Sequence, residues 1–298
     1  MPTRELAVQV GEVFKDFNRA LPHSVKTMAV YGGVSINPQM KAMMGVDILV
    51  ATPGRLLELI ESNAVHLSAV DTLVLDEADK MLNLGFREEM NRIIKLLPSK
   101  RQNLLFSATL SDDINNLNQI ILKDPLIIKI DAEEETTNTI KQIAYLVAEE
   151  KKGPFLRYLI KHHDMSQVLV FAASVYQADL IAAKLLKNGI NAMAIHSKKS
   201  QGARTEALQN FKLGRLRVLV ATDLMSRGID ISFLPFVINY EPPRSPKDYV
   251  HRIGRTGRAE APGEAISLIS PKEEHHFRVI QKKTGVRIET IDSETLNN

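Results

Sequence analysis

The stretch VLVFAASVYQADLIAAKLLKNG, residues 168–189, combines the two patterns from which the fold can be predicted. Its first part, residues 168–172, is an unbroken apolar run, which is typical of a strand covered on both faces. Residues 175–189 then carry apolar side chains at helical spacing, and Gly189 stands where a helix is expected to stop. The stretch therefore predicts a buried strand followed by a helix.

The same order of strand and helix recurs along the chain. Apolar runs in the first half are TMAVY (27–31), DILVA (47–51), TLVLD (72–76), NLLFS (103–107) and LIIKI (126–130). Runs in the second half are QIAYLVA (142–148), QVLVFA (167–172), AMAIH (192–196), RVLVAT (217–222), FVINY (236–240) and AISLIS (265–270). This alternation predicts an α/β fold with two doubly wound parallel sheets in series.

An acidic stretch, DAEEETTNTI (131–140), lies between the two halves and shows no periodic pattern, which is typical of a linker. We therefore predict a first domain over residues 1–132, a linker over 133–140 and a second domain over 141–298.

The composition excludes several classes of site. The chain of 298 residues contains no cysteine, which excludes disulfides, thiolate zinc sites and cysteine nucleophiles, and fits a reducing cytoplasm. No apolar run is long enough to span a bilayer. The formal charge of +3 is small and decides nothing about nucleic acid, whereas the absence of tryptophan argues against stacking many bases on aromatic side chains.

Polar residues follow several of the predicted strands, at the end where parallel sheets bind ligands. Asp76 and Glu77 follow one such strand, and a carboxylate pair of this kind can bind Mg²⁺ and orient an attacking water. Acidic residues also stabilise the start of any helix, so these residues alone leave both interpretations open.

The stretch HRIGRTGR (251–258) places Arg252, Arg255 and Arg258 close together with glycines between them. Guanidinium groups so close repel one another unless an anion joins them, and arginine suits bidentate contact with phosphate. The alternative is a solvated basic helix end. The stretch VLVATDLMSRGIDI (218–231) carries Asp223 and Asp230, which could accept from a ribose hydroxyl or cap a helix.

Taken together and in order, these motifs resemble those of the DEAD-box RNA helicases: PTRELA (2–7), GG (32–33), TPGR (52–55), DEAD (76–79), SAT (107–109), VLVFAAS (168–174), QGAR (201–204), ATDLMSRGID (221–230) and HRIGRTGR (251–258). The resemblance implies two tandem RecA-like domains that close on ATP, Mg²⁺ and single-stranded RNA, in a monomer that does not bind membranes. It implies catalytic roles for Asp76, Glu77, Arg255 and Arg258, with Mg²⁺ held by Glu77 and, through water, by Asp76.

The resemblance extends to further residues. ATP would be bound by Gly228, Asp230, Arg255 and Arg258. Hydrolysis would be coupled to RNA through Asp79, Ser107, Thr109 and His251. The RNA backbone would be contacted by Thr3, Arg4, Gly33, Thr52, Gly54, Arg55, Arg204 and Thr222. Contacts to the backbone and its 2′-hydroxyls give a preference for RNA without reading its sequence.

One motif of the family is missing from these 298 residues. The phosphate-binding pattern G-x-x-x-x-G-K-[ST] does not occur, and no glycine is followed by lysine. Its amides and lysine hold the β- and γ-phosphates, so we expect a first RecA-like domain that is incomplete at its N-terminus, and a polypeptide without ATPase activity. The alternatives are a non-catalytic RNA-binding or partner-binding protein and an unrelated doubly wound phosphotransferase.

Overall fold

The computed structural model describes residues 1–108, 122, 124–129, 140–223, 231, 233–257 and 263–297. The chain divides into two compact units, Met1–Ile130 and Asp131–Asn298, which we call the first and the second unit. Of the predicted linker, Ile140 already belongs to the first strand of the second unit, and residues 133–139 lie outside the described residues.

The first unit alternates helices and strands, as its sequence predicts. Its elements are α1 (Arg4–Asn18), β1 (Thr27–Val30), α2 (Ile36–Ala42), β2 (Ile48–Ala51), α3 (Pro53–Glu61), β3 (Thr72–Leu75), α4 (Ala78–Asn83), α5 (Arg87–Leu96) and β4 (Gln102–Leu105). Strands β1 and β2 form one parallel pair, and β3 and β4 form another. Across the described residues of this unit, the two pairs are separate two-stranded sheets.

The burial of β3 and β4 differs from the sequence prediction. Their residues alternate between exposed and half-buried, whereas the unbroken apolar runs predict strands covered on both faces. Val74, Leu104 and Phe106 are exposed because no described element covers that face of the β3–β4 pair. An exposed apolar face of this kind favours association with other protein surfaces.

The prediction of a strand at LIIKI (126–130) is wrong for its described part. Residues 125–129 pair with no described strand, and Leu126, Ile127 and Ile128 are exposed. An apolar run becomes a strand only where a neighbouring strand accepts its backbone hydrogen bonds.

The second unit contains the larger sheet. Its elements are β5 (Ile140–Leu146), a 3₁₀ turn (Glu149–Lys151), α6 (Lys152–His162), β6 (Val168–Ala172), α7 (Val175–Lys187), β7 (Ala192–Ile195), α8 (Gln201–Lys212), β8 (Val218–Thr222), β9 (Phe236–Asn239), α9 (Pro246–Ile253), β10 (Gly263–Ile269), α10 (Glu274–Thr284), β11 (Glu289–Asp292) and a 3₁₀ helix (Ser293–Asn297). The seven strands pair in the order β11-β5-β10-β9-β6-β8-β7, all in parallel.

The second unit confirms the prediction of a buried strand followed by a helix over residues 168–189. Every residue of β6 is buried, because separate clusters of apolar side chains cover the two faces of the sheet. Helix α7 follows, begins at the Ser174 cap and ends just before Gly189, whose φ of 78° is the left-handed conformation that glycine adopts most easily. Strand β11 is the element that the apolar pattern misses, because it is short and three of its four residues are exposed.

None of the helices within the described residues is long and apolar enough to cross a membrane.

Candidate functional site

Thr3, Arg4 and Gly33 lie together at the carboxyl end of β1. Thr3 caps α1 by accepting a hydrogen bond from the Leu6 amide at 3.3 Å, and so fixes the start of the helix that carries Arg4. Gly33 has a φ of 76°, and a Cβ there would collide with the Arg4 guanidinium. The glycine therefore permits both an unusual backbone conformation and the close approach of a cation.

The TPGR segment begins α3 at the neighbouring end of β2. Thr52 is buried at the cap position, where its side chain makes no capping bond, and Gly54 borders open space. Arg55 is buried and donates to Glu58 at 2.7 Å and to the Val34 carbonyl at 2.7 Å. Its buried Nη1 has no hydrogen-bond partner among the residues that the structure describes. An unpaired buried donor beside an open helix N-terminus is suited to an anion.

The DEAD segment follows β3, and its backbone is tied to the end of β4. The Ala78 amide donates to the Phe106 carbonyl at 3.1 Å, which places Ser107 close to the backbone of the DEAD segment. Asp76 accepts from the Glu77 amide at 2.9 Å, and Glu77 adopts a left-handed φ of 51° before α4. Asp79 is buried in the first turn of that helix.

Glu77 has one paired and one unpaired carboxylate oxygen. Its Oε1 accepts from Lys80, whereas the buried Oε2 has no hydrogen-bond partner within the part of the chain that the structure describes. A buried carboxylate oxygen without a donor is costly unless a cation or a water satisfies it. The described ranges contain no group of three or more His, Cys, Asp or Glu side chains that could hold a metal ion. Asp76 and Glu77 are a pair of neighbouring carboxylates, which is the donor set of Mg²⁺ sites that keep most of their waters.

Met1 lies near both strand pairs of the first unit. Its α-amino group donates to the Ala51 carbonyl at the end of β2, at 2.9 Å. Burial lowers the pKa of this amino group to about 6, and the charges of Asp76 and Glu77 oppose the shift. The carboxyl ends of β2 and β3 are thus close to one residue, although the strands do not pair.

Arg204 and Thr222 lie near carboxyl ends of the second sheet. Arg204 is buried in the first turn of α8, bonded to Gln201, and Thr222 is the last residue of β8, half-buried. His196 follows β7 and is buried, with Nε2 3.0 Å from Asp179 Oδ2 and Nδ1 without a partner among the described residues.

Arg252 of HRIGRTGR is paired with an acidic residue of the second unit. Arg252 is buried, and its Nε and Nη2 contact the two oxygens of Asp223 at 2.5 and 2.8 Å. Its Nη1 donates to Asn239 Oδ1 at 3.0 Å, and its guanidinium lies 4.9 Å from the centre of the Phe171 ring. The prediction that all three arginines need an anion is therefore wrong for Arg252, because Asp223 neutralises it.

The remaining predicted residues are only partly described. His251 and Arg255 are half-buried at the end of α9, and the Arg255 carbonyl accepts from the Leu234 amide at 3.1 Å. Four predicted site residues lie outside the described residues: Thr109, Gly228, Asp230 and Arg258.

Two polar contacts were not predicted from sequence. Gln39 on α2 is buried and exchanges hydrogen bonds of 3.2 Å with both backbone groups of Tyr31, which fixes the chain just before Gly33. Asp223 anchors α9 through its contact with Arg252. The sequence feature that could have indicated this contact is Asn239, a polar residue within the apolar run FVINY, because such a residue is typical of a buried hydrogen-bond network.

Comparison with known proteins gives two family matches. The DEAD/DEAH box helicase family matches residues 1–117, and the helicase conserved C-terminal domain matches residues 151–260. Together these matches include the DEAD segment, α8 and HRIGRTGR.

Curated relatives include ATP-dependent RNA helicase CshA of Listeria monocytogenes, 39% identical over 99% of this chain and 56% of its own length. The DEAD-box ATP-dependent RNA helicase CshA of Streptococcus pneumoniae is 43% identical over 97% of this chain and 55% of its own length. The chain thus spans little more than half the length of these relatives.

Solved structures give the same assignment. A DEAD box protein from Methanococcus jannaschii is 37% identical, with a TM-score of 0.51 over 98% of this chain and 78% of its own. S. cerevisiae Dbp5 bound to RNA and ADP BeF3 is 27% identical, with a TM-score of 0.83 over 99% of this chain and 77% of its own. The chain has the RecA-like α/β fold of these proteins and belongs to the DEAD-box helicase family.

Proposed function

We propose that the protein is an ATP-dependent RNA helicase that remodels RNA without reading its sequence. The observation that carries this proposal is the clustering of Thr3, Arg4, Gly33 and the TPGR segment at the carboxyl ends of β1 and β2. Cations, an open helix start and a close-approach glycine suit a phosphate backbone. Support also comes from Dbp5, an RNA-bound relative with this fold.

Asp76 and Glu77 are the proposed catalytic carboxylates. Bound Mg²⁺ would neutralise phosphate charge and orient the phosphates of ATP. The unpaired Oε2 of Glu77 would accept a proton from the attacking water, while Asp76 would contact a water of the metal shell. Lys80 holds the other oxygen of Glu77, which fixes the orientation of the carboxylate.

The second unit supplies the remaining proposed roles. Arg255 and Arg258 would stabilise charge on the γ-phosphate, and Gly228 and Asp230 would contact the nucleotide. Arg204 and Thr222 would extend the RNA path. Asp79, Ser107, Thr109 and His251 would couple hydrolysis to RNA binding.

We further propose that this 298-residue polypeptide does not turn over ATP by itself, because it lacks the G-x-x-x-x-G-K-[ST] pattern. A lost phosphate clamp and metal ligand cost several kcal/mol, since one preorganised donor is worth about 3–4 kcal/mol in the transition state. Arg255 acts on a phosphate that another group must hold, so it cannot replace the clamp.

ATP hydrolysis measured with and without a uridine oligonucleotide tests both proposals. We expect no stimulated turnover by the chain alone, and RNA-stimulated turnover after a relative's segment carrying G-x-x-x-x-G-K-[ST] is joined in frame. Glu77→Gln should abolish the restored activity, whereas the exposed Glu206→Gln should not. Turnover by the unextended chain that is lost on Asp76→Ala would refute the second proposal, and an inactive but folded extended chain would refute the first.

The second candidate function is ATP-independent RNA binding by the chain as it stands, supported by the unpaired Nη1 of Arg55. Affinity for the oligonucleotide should fall steeply with salt, because phosphate contacts release counterions. Binding that is undetectable at low salt would exclude this candidate.

A further inference from the structure

A groove between α6 and α7 lies outside every site discussed above. Tyr240, the residue after β9, lines it together with the two helices. The floor contains the buried side chains of Leu156, Ile181 and Leu185. These residues belong to the core of the second unit, so the groove has a rigid apolar base.

Four polar side chains surround this floor: Arg157, Gln177, Lys184 and Tyr240. Among the residues that the structure describes, none of these four side chains has a hydrogen-bond or ion-pair partner. The Tyr240 hydroxyl and the Arg157 guanidinium converge, because a Cβ built on Gly153 would lie 3.8 Å from one and 3.9 Å from the other. Tyr240 is largely buried but lines the groove, so its hydroxyl is placed to donate to a ligand there.

The unpaired groups are mainly hydrogen-bond donors, and two of them are cations. Burial raises the pKa of Tyr240 to about 12, so its hydroxyl keeps the proton that it can donate at neutral pH. Three carboxylates act on Tyr240: Glu149 and Glu273 lie 3.9 and 2.5 Å from Lys152 Nζ, and Glu241 accepts from the Ala173 amide at 2.6 Å. These carboxylates have other partners, and Arg157 and Lys184 are left for an external anion.

We propose that this groove docks an acidic segment of a partner protein. An Asp or Glu carboxylate of the segment binds Arg157, Lys184 and the Tyr240 hydroxyl, and a neighbouring aliphatic side chain covers the apolar floor. A free phosphate would leave that floor uncovered, and an RNA strand requires cations repeated along a path rather than two at one groove. The proposal is independent of the helicase assignment, since it uses no predicted ATP or RNA residue.

Fluorescence anisotropy with the complete 298-residue chain tests the proposal. The probe is a short fluorescein-labelled peptide in which Asp and Leu are spaced by Gly and Ser. Binding should weaken with salt and disappear when Lys replaces Asp or Ser replaces Leu in the peptide. The double substitution Arg157→Glu with Lys184→Glu should reduce affinity at least about tenfold, and Tyr240→Phe should reduce it a few-fold.

The matched control is Lys161→Glu with Lys187→Glu, which makes the same change of charge on the same two helices outside the groove. This control should change affinity by less than about twofold, and circular dichroism should show all variants folded. Three results would overturn the proposal: no binding of the Asp-Leu peptide, equal loss in the control, or full displacement of the peptide by inorganic phosphate at constant ionic strength. Loss of uridine-oligonucleotide binding in the groove variant alone would also overturn it, since the groove would then be an RNA surface.

Discussion

The two units share the same alternation of apolar runs and helical patterns, but they differ in how their described strands pair and how deeply those strands are buried. In the second unit, seven parallel strands are paired and the interior strand β6 is buried along its whole length. In the first unit, the described strands form two separate pairs, and β3 and β4 leave alternate residues exposed. An unbroken apolar run therefore indicates a strand that is most stable when both faces are covered. Whether they are covered depends on the neighbouring strands and helices.

Replacing a phenylalanine by alanine should give the largest difference in unfolding free energy between the two units. Phe171 in β6 is fully buried, and Phe171→Ala should lower the free energy of unfolding of the second unit by about 3–5 kcal/mol. Phe106 in the first unit is 55% exposed, and Phe106→Ala should cost less than about 1 kcal/mol. Urea denaturation measures both changes, and equal losses would show that the β3–β4 face is covered in solution.

The Asp223–Arg252 pair gives the next largest effect. Arg252→Ala leaves Asp223 and Asn239 without their donor in a largely buried site, so we expect a loss of about 3 kcal/mol in the second unit. The exposed Arg244→Ala is the matched control and should stay within about 0.5 kcal/mol of wild type.

Arg252→Lys separates charge from geometry in the same experiment. Lysine keeps the charge but loses the two-point contact with Asp223, so it should recover only part of the stability. Full recovery would show that charge alone, rather than the planar guanidinium, holds α9 in place.

Substitution by alanine should destabilise the first unit at one glycine, Gly33, and not at another, Gly54. Gly33→Ala places a Cβ against the Arg4 guanidinium at a φ of 76°, and should cost about 1–2 kcal/mol. Gly54 lies in the first turn of α3 beside open space, so Gly54→Ala should be neutral or stabilise by up to about 1 kcal/mol.

Thermal unfolding distinguishes these two positions. If both substitutions proved neutral, Gly33 would not need its left-handed conformation, and the close approach of Arg4 to Gly33 would not be a fixed feature of the first unit.

Sequence patterns predicted the elements that depend on local chemistry. Residues 168–189 specify both β6 and α7, because the apolar run, the Ser174 cap and Gly189 all lie within one segment. The strand at LIIKI (126–130) failed in its described part, because pairing requires a neighbour elsewhere in the chain. The ion-pair partner of Arg252 could not be predicted either. The spacing within HRIGRTGR cannot show that Asp223, far away in sequence, neutralises Arg252.

The smallest expected effect concerns the pH dependence of stability and depends on Glu241, which lies just after β9 in the second unit. Burial raises the pKa of this carboxyl above its ordinary value of 4.5, and nearby Glu273 and Glu149 raise it further. The Ala173 amide, which donates at 2.6 Å, and the charge of Lys152 lower the pKa without cancelling the shift.

A raised pKa means that the folded state binds the proton more tightly than the unfolded state. The stabilisation from this group is therefore complete below about pH 4.5 and is lost as the pH rises through the folded-state pKa. Glu241→Gln keeps an oxygen for the Ala173 amide and should flatten the fall of unfolding free energy over that window by up to about 1 kcal/mol.

Glu206→Gln, an exposed change of the same charge, should leave the pH dependence unaltered. A slope that persists in Glu241→Gln would assign the pH dependence to other carboxylates. A slope that disappears would show that the complete sheet keeps a carboxyl partly desolvated at the carboxyl end of β9, beside the backbone that holds Arg252.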